Sequence, residues 1–116
     1  MDVTIREESE DDVGAIAEVV VAAFGSQAEA DLVERIRASP EYRPRLALVA
    51  EADGEIVGHV MISAALLRTA TGDQPIVMLS PLAVAPTSQR RGVGAALVAE
   101  VCARAAAAGE PFVVLE

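Results

Sequence analysis

The residues whose types and spacing could do chemistry are concentrated between Leu82 and Leu97. The tightest grouping is Gln89-Arg90-Arg91-Gly92-Val93-Gly94. It follows an apolar run, Ile76 to Val84, that reads as a buried strand closed by Pro86, and it precedes a helical pattern of Leu97, Val98, Val101 and Cys102. A strand, a glycine-bearing turn and a helix start together make an anion site, because the first amides of a helix lack internal partners and its dipole favours negative charge there. Gly92 and Gly94 carry no Cβ, so a phosphate can approach the main chain closely. Arg90 and Arg91 add planar, permanently charged donors. Two arginines at a helix start oppose the dipole, a local mismatch that a bound polyanion would remove. The chemistry indicated is pyrophosphate binding.

Two common phosphate motifs fit poorly. A P-loop needs a lysine, and all nine basic residues are arginine. A dinucleotide fingerprint needs a third glycine, but Gly94 is followed by Ala95-Ala96-Leu97. Glu116 could still serve as that motif's ribose acid, so a nicotinamide-dinucleotide fragment stays a weak alternative. Acid–base candidates are few. His59 falls in a strand with Val57, Met61 and Ser63 on its face; it can relay a proton or, as is commoner, sit hydrogen-bonded in the interior. Ser80 lies beside Pro81, whose missing N–H predicts a bulge near Leu79-Ser80-Pro81. Glu51 reads as a solvated strand end and Cys102 as a small core residue. One histidine and one cysteine suggest no metal site and no Cys–His catalysis, and no catalytic residue is assigned.

Around these residues the chain reads as β-α-α-β-β-β-α-β. Val3–Arg6 alternates as a strand. Ser9 and Asp12 resemble a capping box before a helix bearing Val13, Ile16, Ala17, Val20 and Phe24 on one face, with Gly25 to end it. Ser26 and Glu29 suggest a second capping box, before a helix presenting Leu32, Val33 and Ile36. Pro40 and Pro44 mark a loop. Arg45–Ala52 and Glu55–Leu66 form a hairpin about Asp53-Gly54. Thr69–Pro75 holds only turn formers and leads to the strand Ile76–Val84. The long helix ends at Gly109, and Pro111–Glu116 is a last, parallel strand.

With 116 residues, the chain is expected to form one domain, residues 1–116. No apolar stretch reaches the length of a membrane span, and no signal-like segment opens the chain. A single cysteine excludes an internal disulfide and fits the cytoplasm. The net charge of −9 argues against nucleic acid and would attract a cationic substrate, although an acidic surface also simply keeps a small domain soluble.

Leu82-Ala-Val-Ala-Pro86 followed by Gln89-x-x-Gly92-x-Gly94 resembles motif A of the GNAT superfamily of N-acetyltransferases, and the element order agrees with the first eight elements of that family. The resemblance implies an α+β, GNAT-like fold with a mixed, mainly antiparallel sheet flanked by helices. It implies acetyl-CoA as cosubstrate, held by Gln89, Arg90, Arg91, Gly92, Val93 and Gly94 at the pyrophosphate. Main-chain groups of Leu82, Ala83 and Val84 would pair with the pantetheine arm and polarise the acetyl carbonyl. The implied reaction is direct attack by a primary amine of a small molecule or peptide, the acidic balance mildly favouring a polyamine, aminoglycoside or basic peptide. Members of the family normally continue with a helix and two strands, and a tyrosine early in that helix is the usual general acid. Tyr42 lies in the wrong segment to take its place. The expectation is therefore a C-terminally incomplete domain, shortened or completed by another subunit. The rival reading is a non-catalytic CoA-binding or assembly module whose last strand pairs between copies in a homo-oligomer.

Overall fold

The computed structural model describes residues 2–110 and 113–115. Its elements are β1 (Thr4–Glu7), α1 (Val13–Phe24), α2 (Ala28–Arg37), β2 (Ala47–Ala52), β3 (Glu55–Thr69), β4 (Gly72–Val84), α3 (Val93–Ala107) and β5 (Val113–Leu115). The order is the expected β-α-α-β-β-β-α-β. Of the expected last strand, Val113–Leu115 is present, while Pro111, Phe112 and Glu116 lie outside the described residues. The strands form one sheet in sequence order, antiparallel from β1 to β4 and parallel between β4 and β5.

Strand alternation gives the sheet two apolar faces, each covered by helix. Leu48, Ala50, Val60, Ile62, Val77 and Leu79 meet Val93, Leu97, Val101 and Ala105 of α3. On the other face Val49, Met61 and Ala83 meet Ile16, Val20 and Val33 of α1 and α2. Gly58 sets how closely α3 can approach: a Cβ there would lie 2.9 Å from Leu97 Cδ1 and 3.2 Å from Val93 Cγ1. Asp53 and Gly54 both adopt positive φ, as a tight β2–β3 hairpin turn requires.

Four local expectations change. Thr69–Pro75 is not a loop: β3 runs to Thr69, β4 starts at Gly72, and Leu66 faces Pro75 and Arg68 faces Asp73 across the hairpin. Pairing along a long partner strand outweighs the poor strand propensity of Gly72, Asp73 and Pro75. Val57 does not share the face of His59. Ala50 pairs with Gly58 but Glu51 with Ile56, so Val57 is the extra residue of a bulge and packs towards α3. Ser26 and Glu29 do not cap α2 through its backbone; the Ser26 hydroxyl donates to the Glu29 carboxylate at 2.7 Å, and the helix begins after Gln27. Phe24 lies off the buried face of α1, 44% exposed.

The Ser9–Asp12 element does form. The Asp12 carboxylate accepts from the Ser9 amide at 2.8 Å and the Ser9 hydroxyl at 3.1 Å, and from both terminal nitrogens of Arg6 at 2.7 and 3.0 Å. Arg6, helped by the Ser9 bonds and opposed by burial, holds the Asp12 carboxyl down at about 2. A second network is more deeply buried. Glu8, its side chain 3% exposed, accepts from Arg37 Nε at 2.8 Å, the Tyr42 hydroxyl at 2.6 Å and His59 Nε2 at 2.8 Å. Burial opposes the charge on Glu8, but the bonds from His59, Arg37 and Tyr42 outweigh it and hold the carboxyl far below its usual range. Burial, and then the bond to Glu8, pushes the Tyr42 hydroxyl up to about 12. The cluster ties the end of β1 to α2, the α2–β2 loop and the middle of β3.

Two predictions follow from these contacts. Gly58→Ala is expected to destabilise the fold by about 1–3 kcal/mol through overpacking against Leu97, read as a lower urea midpoint at unchanged slope. Glu8 has a folded-state pKa below its ordinary 4.5, so its contribution is fully present above that pH and is lost as pH falls towards the folded value. Glu8→Gln is expected to lose about 3 kcal/mol near pH 7 and to flatten the acid limb of a stability–pH curve, leaving the part due to Asp12.

Candidate functional site

Β4 is built to leave one edge open. Val60 pairs with Leu82 and Ile62 with Leu79, so Ser80 and Pro81 together face the single residue Met61. This is the bulge expected from Pro81, and the Ser80–Pro81 peptide is cis. Pairing with β5 covers, among the described residues, Val77, Met78 and Leu79 only. Among the described residues, β4 from Ser80 to Val84 therefore has β3 on one side and no strand on the other.

Alternation decides which main-chain groups that edge presents. The Ala85 amide donates to the Val57 carbonyl at 2.8 Å, and the Ala83 carbonyl lies against Gly58. Ala83 and Ala85 are thus turned towards β3, and Leu82 and Val84 face the open edge. Ala83 departs from the expectation that all three residues offer main-chain groups to a ligand: its side chain is buried beneath α1 and its main chain is spent on the β3 pairing.

The strand then runs into the Gln89–Gly94 turn. Ser88, buried, donates its amide to the Ala85 carbonyl at 2.8 Å, and the Gln89 side chain donates to the Val84 carbonyl at 3.0 Å. Gly92 has φ of 83°, a conformation that glycine adopts without strain. Arg90 has φ of 65°, uncommon for a residue with a side chain and the kind of local strain found at ligand-holding loops. The first internal bond of α3 is from the Ala96 amide to the Gly92 carbonyl at 3.0 Å, so the amides of Val93, Gly94 and Ala95 have no partner within the helix. A Cβ on Gly94 would stand 3.6 Å from Val84 and 3.9 Å from Leu82, so glycine keeps that space between helix start and strand end clear. Arg90 and Arg91 are both exposed, and Val93 is buried and anchors the turn on the sheet.

A cavity of about 480 Å³ continues from the open edge. Leu79, Ser80, Pro81 and Leu82 of β4 form its floor, Val98 of α3 one wall, and Phe24, Glu29 and Leu32 of the α1–α2 corner the other. Sequence reasoning missed these last three as site residues. The Ser26-x-x-Glu29 spacing was a local signal, but it reads as capping, and Phe24 reads as core.

The remaining candidates are placed as follows. His59 is fully buried against Glu8; its Nε2 faces a carboxylate and its Nδ1 has no partner among the described residues. Ser80 is half-buried in the cavity floor. Glu51 is not free at a strand end but accepts from Arg6 Nε at 3.1 Å. Cys102 is half-buried against the α3-side core. Tyr42 belongs to the Glu8 cluster. Among the described residues no three His, Cys, Asp or Glu side chains gather as a metal set, and no helix is long and apolar enough to cross a membrane.

Residues 4–116 match the family model described as an acetyltransferase (GNAT) domain. Over 87 residues, 75% of this chain, the sequence is 38% identical to an uncharacterized N-acetyltransferase, YjhQ, of Escherichia coli K12, and it spans about half (48%) of that relative's length. A GNAT family acetyltransferase from Brucella melitensis, solved in complex with acetyl-CoA, superposes with a TM-score of 0.88 at 32% identity, covering 98% of this chain and 75% of that one. The GNAT family N-acetyltransferase YhbS of Escherichia coli, solved with CoA, gives 0.83 at 29% identity, covering 97% of this chain and 61% of that one. With its sheet order, its bulged fourth strand and its glycine turn at the start of α3, the chain belongs to the GNAT acetyltransferase family.

Proposed function

We propose that this domain binds acetyl-CoA along the open edge of β4 and transfers its acetyl group to a primary amine of a small molecule or peptide. The observation that carries the reading is the continuity of three features: the unpartnered amides of Val93, Gly94 and Ala95, the outward main chain of Leu82 and Val84, and the cavity at the bulge. Related proteins crystallised with acetyl-CoA and CoA support it.

In this reading Gln89–Gly94 receives the pyrophosphate, with Arg90 and Arg91 adding charge from the exposed side of the turn. Gln89 takes part by holding the turn to Val84. The pantetheine arm lies along β4 as a short substitute strand, bonded by Leu82 and Val84. An outward amide of this segment polarises the acetyl carbonyl, aimed at the oxygen on which negative charge develops. The neutral amine attacks the carbonyl carbon, a C–N bond forms, the C–S bond breaks with its electron pair leaving on sulfur, and the proton lost by nitrogen ends on the thiolate. His59 takes no direct part in this scheme, because it is fully buried and committed to Glu8.

Calorimetric titration with acetyl-CoA tests the cosubstrate assignment. The chain is expected to show saturable one-site binding that weakens with added salt, and Arg90→Ala/Arg91→Ala together is expected to weaken it by about tenfold. No binding by a demonstrably folded chain would sink the assignment. Gly94→Val gives a steric counterpart: its Cβ makes ordinary contacts with Val84 and Leu82, so the fold is expected to stay intact, while the branched side chain narrows the gap between strand end and helix start and acetyl-CoA affinity drops by about tenfold or more. Thiol release with a primary amine, absent without one, is the expected sign of transfer.

A further inference from the structure

We propose that the α1–α2 corner of the cavity is a recognition site for a monoammonium ligand with an apolar or aromatic body, in which Glu29 binds the cation and Phe24 covers it. The inference rests on the acetyl-transfer reading for its biological sense, since it specifies which amine that site takes. Its physical argument concerns the cavity alone.

Among the residues that line the cavity, Glu29 is the one with a formal charge. The rest of the wall is Phe24, Leu32, Leu79, Pro81, Leu82 and Val98, with Ser80 as the one other polar side chain. Glu29 is half-buried, and among the described residues no cationic group lies within salt-bridge distance of it. Its one bond is from the Ser26 hydroxyl to Oε2 at 2.7 Å, which fixes the carboxylate and leaves Oε1 available. A carboxylate in the first turn of a helix is favourable to the dipole, and that alone would explain an acid here. It does not explain why this acid lines a mainly apolar cavity, whereas Asp31, in the same turn, is exposed to solvent. Nor does it explain Phe24, a large aromatic side chain 44% exposed on the rim of the same cavity. A carboxylate and an accessible ring lining one cavity can together hold an organic ammonium, the one by charge and the other by the ring's negative face. One charge in a mainly apolar wall fits one ammonium with a hydrocarbon body better than a polycation, whose further charges would be desolvated without a carboxylate partner. This narrows the acceptor class, away from the polyamines and aminoglycosides that net charge alone favours.

The test is an NMR titration of the isotope-labelled chain with 2-phenylethylamine, with 2-phenylethanol as its neutral counterpart and with spermidine. The amine is expected to saturate with shifts centred on Phe24, Glu29 and Leu32, and to bind at least about tenfold more tightly than the alcohol. Glu29→Gln, which keeps the Ser26 contact, is expected to cut amine affinity at least about fivefold while leaving the alcohol and acetyl-CoA within about twofold; Asp31→Asn is expected to change nothing. Equal binding of amine and alcohol, tighter binding of spermidine, or an unaffected Glu29→Gln variant would overturn the proposal. The amine–alcohol comparison needs no variant, and Phe24→Ala, at an exposed position, is expected to weaken the amine about fivefold should Glu29→Gln not fold. The two readings fail separately. A chain that binds the amine here but not acetyl-CoA keeps the cation site and loses the transfer reading; the reverse keeps the cosubstrate and loses the cation site.

Discussion

The rest of the site depends on main-chain hydrogen bonding at the end of β4. A strand in the interior of a sheet normally spends its amides and carbonyls on both neighbours. Here two residues at Ser80–Pro81 stand against one on β3, and among the described residues pairing with β5 reaches only Leu79. The groups of Leu82 and Val84 are left pointing along an edge flanked by helices on both faces. Buried or half-buried main-chain groups require partners. The Val84 carbonyl obtains one from Gln89, and the others are directed where an extended ligand would run. The glycine turn, the start of α3 and the α1–α2 corner each add to this one edge.

The interactions that hold the fold lie elsewhere. Glu8, Arg37, Tyr42 and His59 clamp β1, α2 and β3 together on the opposite side of Ala83 from the open edge, and Asp12 with Arg6 fixes the entry to α1. On the other face, Gly58 lets α3 sit close enough for Val93 to bury itself, which fixes where the helix begins and so where its free amides point. Stability and the proposed binding edge thus meet at one packing contact, while the Glu8 and Asp12 clusters do not line the cleft.

What was legible in the sequence was local. Apolar periodicity and turn residues located the strands and α-helices in order, Asp53-Gly54 announced its turn, Pro81 announced its bulge, and the Gln89–Gly94 turn was visible because its glycines and arginines lie within six residues of one another. What was not legible needed distant partners. Thr69–Pro75 looked like a loop because its strand character comes from β3 rather than from its own residues. Ala83 could not be told from Leu82 and Val84 without the register, which decides which amide faces out. The Glu8–His59 pair joins positions 51 residues apart, and no spacing rule connects them. Glu29 and Phe24 carried local patterns that spoke for capping and core, and only the corner between α1 and α2 turns both towards β4.

The turn between β4 and α3 is held by bonds of the protein's own: Ser88 to Ala85, Gln89 to Val84 and Ala96 to Gly92. None of these requires an anion. The positive φ of Arg90 is thus supported by the protein's own contacts, which lowers the conformational freedom that a ligand would have to remove from this loop. A ligand that meets an already ordered loop keeps more of its interaction energy as affinity than one that must order the loop itself. Docking at this end would then be close to rigid-body, with the adaptable part of recognition left to side chains at the cavity mouth.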